Sequence, residues 1–154
     1  MCIRDSNKGK AIYVEKPLAL TEESLIEIEE AIYSSENPKL FVGFNRRFAD
    51  ATQYVKQKLN AKAANSITFR FSVPPLDKDH WTNMKEIGGG RIVGEAIHAI
   101  DLACYLFDSL PQSVASSAPI NKDNSEANEN QVFISVNFAN GSHAAIQYLS
   151  LIHI

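Results

Sequence analysis

The stretch QVFISVNFANGSHAAIQY, residues 131–148, decides how the second half of the chain is built. Val132, Ile134, Val136 and Phe138 recur at every second position, so they share one face of an extended strand. Asn140-Gly141 breaks the pattern, and a second extended run, Ser142–Tyr148, resumes it. Asn-Gly between two such runs is the strongest short hairpin signal. A hairpin is marginal alone and needs more strands and a covering layer.

Both are found upstream. Ile67, Phe69, Phe71 and Val73 alternate with Thr68, Arg70 and Ser72, a half-buried strand that Pro74-Pro75 ends. A short strand is expected at about Val114–Ala118. The covering layer is a helix from about Arg91 to Phe107, preceded by Gly88-Gly89-Gly90. From about residue 50 onward the chain reads as α+β, with a mostly antiparallel sheet packed on that helix. Asn121–Asn130 reads as a polar loop, as does the stretch from Pro74-Pro75 to Ile87.

The first part of the chain has another texture. Ala11–Val14 reads as a buried strand that Pro17 terminates. Thr21 with Glu22 and Glu23 is a helix start, the hydroxyl capping and the acids favouring the positive end of the dipole. That helix runs to about Ser34, Glu36-Asn37-Pro38 breaks it, and Lys39–Phe44 is a second strand. Strand, helix, strand at this spacing suits a βαβ unit, the tail of an α/β sheet whose beginning is absent. A further helix spans Arg47–Leu59.

Composition excludes several classes. The chain has 154 residues, 45% apolar and 21% charged, with a net charge of −3. No basic stripe suggests nucleic acid, no apolar run suffices for a membrane span, and no signal peptide is legible. Two cysteines, Cys2 and Cys104, make neither a disulfide framework nor a metal site, so reduced thiols and a cytoplasmic location are expected. Residues 1–6 have no periodicity, residues 150–154 stop in mid-pattern on an apolar run, and both strings resemble non-native tails.

The helix over Arg91–Phe107 carries the chemistry. With about 100° per residue, Arg91, Gly94, Glu95, His98, Asp101 and Tyr105 fall within an arc of about 120°. The bland reading is an amphipathic helix with its stripe in water. A thin stripe holding a His, an Asp and a Tyr is also what a helix aimed into a cleft shows. Glu95-x-x-His98 matches half of a di-iron motif, but no second copy exists and no metal is expected. Lys16 sits at the carboxyl end of a strand, where open α/β sheets bind ligands.

Three strings carry a resemblance. Val14-Glu15-Lys16-Pro17-Leu18-Ala19 is similar to an E-K-P signature. Gly43-Phe44-Asn45-Arg46-Arg47-Phe48 is similar to a strand exit from a first domain. Gly88-Gly89-Gly90 with His98-Ala99-Ile100-Asp101-Leu102 is similar to a G-G-x(n)-H-x-x-D helix. In this order they resemble the Gfo/Idh/MocA family of glucose–fructose oxidoreductase and inositol dehydrogenase-like enzymes, over most of residues 10–148. The resemblance implies a Rossmann domain, of which residues 7–48 would be the last β-α-β remnant. It also implies an open-faced substrate and oligomerisation domain, here a truncated 49–149.

It further implies an NAD- or NADP-dependent oxidoreductase acting on a sugar, sugar-nucleotide or polyol hydroxyl, the chain being a fragment inactive alone. Lys16 and His98 would be catalytic, His98 as general acid/base because the ordinary pKa of an imidazole lies near neutrality. Glu95 would orient His98, because family members often carry Asp at the position of Gly94. Glu15, Lys16, Pro17, Asn45 and Arg46 would border the cofactor. Lys16, Arg91, Asp101, His80 and Trp81 would meet the substrate. Gly94-Glu95 with Asp79-His80-Trp81 is similar to a subgroup linked to polysaccharide biosynthesis. A homo-oligomer through the open sheet is expected. Two alternatives share the fold: a non-catalytic assembly module and a redox-assisted glycosidase. The chain carries no G-x-G-x-x-G turn for a pyrophosphate.

Overall fold

A computed structural model describes residues 11–35, 39–59, 63–74, 76–77, 79–120 and 131–150. The chain divides after Phe44 into two units. The expected N-terminal tail, the breaker 36–38 and the loop 121–130 lie outside the described residues.

In the first unit, β1 (Ala11–Val14) and β2 (Lys39–Val42) flank α1 (Glu22–Tyr33). The strands pair in parallel, Ala11 opposite Lys39 and Val14 opposite Val42. Parallel strands need a crossover, and α1 supplies it. Thr21 caps the helix as its sequence requires, its side-chain oxygen accepting from the Ser24 N–H at 3.2 Å. Lys16 follows the carboxyl end of β1, and the Lys16-Pro17 peptide is cis. The Gly43 N–H donates to the Val14 carbonyl at 2.8 Å. A Cβ on Gly43 would lie 2.7 Å from Tyr13 Oη and 2.9 Å from Glu15 Oε2. Glycine therefore lets the end of β2 lie under the Tyr13 and Glu15 side chains, which hydrogen-bond at 3.1 Å.

The second unit opens on a 3-10 turn, Asn45–Phe48, followed by α2 (Asp50–Lys58) and β3 (Ser66–Val73). A 3-10 turn over Trp81–Asn83 and one helical turn, α3 (Lys85–Gly88), occupy most of the second half of the expected polar loop. The expected helix over Arg91–Phe107 is not uniform: Ile92–Ala96 forms a π-turn before α4 (Ile97–Phe107). β4 (Pro111–Ser117), β5 (Gln131–Phe138) and β6 (His143–Ser150) complete the chain. β6 thus reaches Ser150, the first residue of the expected C-terminal tail.

The sheet order is β3-β6-β5-β4. β4–β5 and β5–β6 are antiparallel, and β3–β6 is parallel, so the sheet is mixed. Alternation reports which face a residue takes, not the strand's direction. The chain leaves β3, crosses α4 and the β4–β5 strands, and returns on β6, which permits parallel pairing. The hairpin loop runs over residues 139–142, with Gly141 at φ +84°. Asn140 fixes it: Oδ1 accepts from Ser142 N at 3.0 Å, and Nδ2 donates to the Phe107 carbonyl at 3.0 Å.

One sheet face is the core. Val132, Ile134, Val136, Phe138, Ala144 and Ile146 pack on Ala99, Ala103, Leu106 and Phe107 of α4. The small residues Ala99 and Ala103 let the helix approach the sheet, and Phe107 meets Phe138 edge-to-face at 5.1 Å. Thr68, Arg70 and Ser72 lie on the opposite, exposed face.

Candidate active site

The π-turn reorganises the polar arc. An i→i+5 turn inserts one residue into the helical ladder, so side chains on either side no longer follow a 3.6-residue wheel. Arg91 and Glu95 turn toward β6. Arg91 Nη1 lies 3.3 Å from Glu95 Oε1, and the guanidinium sits 5.4 Å over the Tyr148 ring. The Tyr148 hydroxyl donates to Glu95 Oε2 at 2.6 Å. Arg91 is 2% exposed and Tyr148 fully buried, whereas a third of the Glu95 side chain is open. Burial, and next the hydrogen bond to Glu95, push the Tyr148 phenol well above its ordinary pKa, so it is a donor at neutral pH.

Asp101 turns the other way. Both its oxygens accept from Arg47, with Nε at 2.8 Å from Oδ2 and 3.1 Å from Oδ1, and Nη2 on Oδ1. This fork ties the 3-10 turn to α4, and the Asp101 hydrogen bond raises the Arg47 pKa above its ordinary value. Beside it, Lys56 Nζ donates to the carbonyls of Tyr105 and Leu106 at 2.6 and 3.1 Å, satisfying the carboxyl end of α4. Gln53 Nε2 donates to Tyr105 Oη at 2.8 Å. Burial raises the Cys104 pKa, so this thiol stays protonated.

The Trp81–Asn83 turn rests on the glycines of the following helix. A Cβ on Gly88 would stand 2.6 Å from both Thr82 Cα and the Trp81 carbonyl oxygen. A Cβ on Gly94 would meet the Thr82 methyl at 3.2 Å. His80 Nδ1 accepts from Thr82 N at 3.3 Å, and its ring lies 5.8 Å from that of the exposed Trp81. Gly88→Ala is expected to cost about 1–3 kcal/mol, because backbone must move to admit the methyl. Trp81 is the single tryptophan, so its emission should shift with the turn. Unchanged stability and emission would contradict the packing.

The expected site residues are distributed over both units. Glu15, Lys16 and Pro17 belong to the first unit. Arg91 and Glu95 meet each other and Tyr148. Asp101 meets Arg47. His80 and Trp81 cap the head of the α3–α4 segment, and His98 lies on α4, half-buried. Asn45 is exposed in the 3-10 turn, and the Arg46 guanidinium lies 5.4 Å over the Phe71 ring. Among the described residues no three His, Cys, Asp or Glu side chains cluster to hold a metal ion. No helix among them is long and apolar enough to cross a membrane.

Residues 63–151 match the model of the GFO/IDH/MocA C-terminal domain. The chain belongs to the GFO/IDH/MocA family. It is 32% identical over 123 residues to an inositol 2-dehydrogenase of Rhizobium meliloti, covering 76% of this chain and 35% of that protein. It is 32% identical over 114 residues to a levoglucosan dehydrogenase of Pseudarthrobacter phenanthrenivorans, covering 69% and 29%. Its fold matches, with a TM-score of 0.79 and 21% identity, a myo-inositol dehydrogenase of Lactobacillus casei solved with NAD(H) and myo-inositol. That match covers 97% of this chain and 44% of the other. The chain thus spans about a third of the curated relatives' length.

Within this GFO/IDH/MocA chain, Tyr148 is the partner of Glu95 that sequence reasoning missed. Its strand position reads as core, and it is core by burial. The signal was available, because a buried tyrosine hydroxyl needs a polar partner.

Proposed function

We propose that the chain is part of a longer NAD- or NADP-dependent oxidoreductase that moves hydride between a nicotinamide and a sugar or polyol hydroxyl. The observation that carries this reading is its 32% identity to inositol and levoglucosan dehydrogenases across two thirds or more of its length. In this reading residues 7–48 close a dinucleotide-binding domain, and residues 49–149 hold the substrate. The described residues fit the margin of a nicotinamide site. β1 and β2 are parallel, Glu15-Lys16-Pro17 follows the carboxyl end of β1, and Gly43 keeps the neighbouring strand end low. When bound, a nicotinamide supplies the hydride acceptor.

The chain's own residues handle the proton and the charge. The carbinol C–H bond breaks with its electron pair leaving as hydride, and the hydroxyl proton goes to His98. Lys16 stabilises the developing alkoxide. Glu15, Pro17, Asn45 and Arg46 border the cofactor, and Arg91, Asp101, His80 and Trp81 shape the substrate side. Glu95, three residues before His98, is the acidic partner that orients it. Self-association through the exposed sheet face belongs to the same reading. An open groove of about 300 Å³ crosses β4–β6 there, beside Phe133, Ser135, Ala145 and Gln147.

The test is nicotinamide reduction by the full-length protein against a panel of polyols, sugars, sugar nucleotides and anhydrosugars. Turnover of at least one, with NAD or NADP, is expected. No turnover across the panel with either cofactor would overturn the reading. Net glycoside cleavage without accumulation of reduced cofactor would favour redox-assisted hydrolysis.

A further inference from the structure

We infer that Glu95 is a hydroxyl-binding carboxylate for a polyhydroxylated ligand, and that Arg91 and Tyr148 are the positioning residues that hold it. The identity of the ligand rests on the oxidoreductase reading, whereas the clamp on the carboxylate does not. An ionised carboxylate offers about four acceptor positions on its two oxygens. Here the buried side of each oxygen is taken. Oε1 faces Arg91 Nη1 at 3.3 Å, and Oε2 accepts from the Tyr148 hydroxyl at 2.6 Å, the short range of an O–H···O⁻ bond.

Both partners come from the interior, Arg91 at 2% and Tyr148 at 0% exposure, while a third of the Glu95 side chain stays open. The open lone pairs therefore belong to a carboxylate held from the interior by one hydrogen bond and one ion-pair contact. A carboxylate contacted from the interior on both oxygens presents its outer lone pairs in a set direction, and a polyol hydroxyl is the complementary donor. The π-turn at Ile92–Ala96 gives Glu95 this direction, three residues before His98.

Tyr148→Phe tests the clamp without emptying the core. The ring that packs 6.0 Å from Phe71 and lies beneath Arg91 is kept, and only the hydroxyl is lost. In the full-length protein, with myo-inositol as probe, titration calorimetry reads binding and nicotinamide reduction reads turnover. Glu95→Gln is expected to raise the myo-inositol Kd by about tenfold or more, as loss of a hydrogen bond to a charged group does. Tyr148→Phe is expected to raise Kd and KM several-fold, with kcat within about threefold of the parent. The double variant should bind no worse than Glu95→Gln alone, because the hydroxyl acts only through that carboxylate.

Losses that add in the double variant, or a Tyr148→Phe Kd equal to the parent's, would overturn the inference and leave the oxidoreductase reading standing. Absence of myo-inositol binding by the parent also overturns it. Binding with this coupling but without hydride transfer supports it while overturning the oxidoreductase reading.

Discussion

Replacing His98 by Ala in the full-length protein is expected to lower kcat by about 10²–10⁴-fold, the usual contribution of a positioned general base. Hydride cannot leave a carbinol carbon efficiently while the oxygen keeps its proton, and imidazole is the side chain whose ordinary pKa suits that transfer near neutrality. His98 stands on α4, one turn beyond the Glu95 clamp, on a helix seated on the sheet by Ala99 and Ala103. Lys16→Ala should act on the same step through the alkoxide, by about 10²–10³-fold. Steady-state kinetics with an unchanged unfolding midpoint is the check. A His98→Ala variant within tenfold of the parent would remove His98 from proton transfer.

The second large effect concerns stability. Arg47→Ala is expected to lower it by about 2–4 kcal/mol, read by equilibrium urea unfolding. Asp101 has a side-chain exposure of 6%, and Arg47 provides its paired donors. Removing the guanidinium leaves a buried carboxylate uncompensated, which is far costlier than losing a surface ion pair. Arg47 is itself 38% exposed, so water can reach the vacated space and the lower half of the range is favoured. A loss under about 0.5 kcal/mol would place the pair among ordinary surface contacts. Loss of stability with KM unchanged would give Asp101 a structural duty, fastening the Asn45–Phe48 turn to α4.

Local signals in the sequence held up well. The bounds of β1, the Thr21 cap and the faces of β3, β5 and β6 follow from period-two alternation, a capping hydroxyl and proline. Gly88-Gly89-Gly90 stands out in the sequence before the helix, and at Gly88 the Trp81–Thr82 backbone passes where a Cβ would be. Features set by long-range packing were not legible. Alternation cannot distinguish parallel from antiparallel partners, so the β3–β6 direction awaited the tertiary path. The π-turn leaves no mark in one sequence, and a 3.6-residue wheel therefore gathered Arg91, Glu95 and Asp101 into one arc. The folded chain instead sends Arg91 and Glu95 to Tyr148 and Asp101 to Arg47. Tyr148 and Arg47, the partners of Glu95 and Asp101 on β6 and in the 3-10 turn, lie about fifty residues away along the chain.

The most direct test of the central claim is isotopic. The full-length protein would be incubated with the oxidised cofactor and a polyol deuterated at its carbinol carbons, and the reduced cofactor examined by mass spectrometry. Deuterium carried into the nicotinamide ring is the predicted result, since the carbinol hydrogen leaves as hydride. Deuterium that stays in the polyol or exchanges into water, with no label in the cofactor, would contradict it.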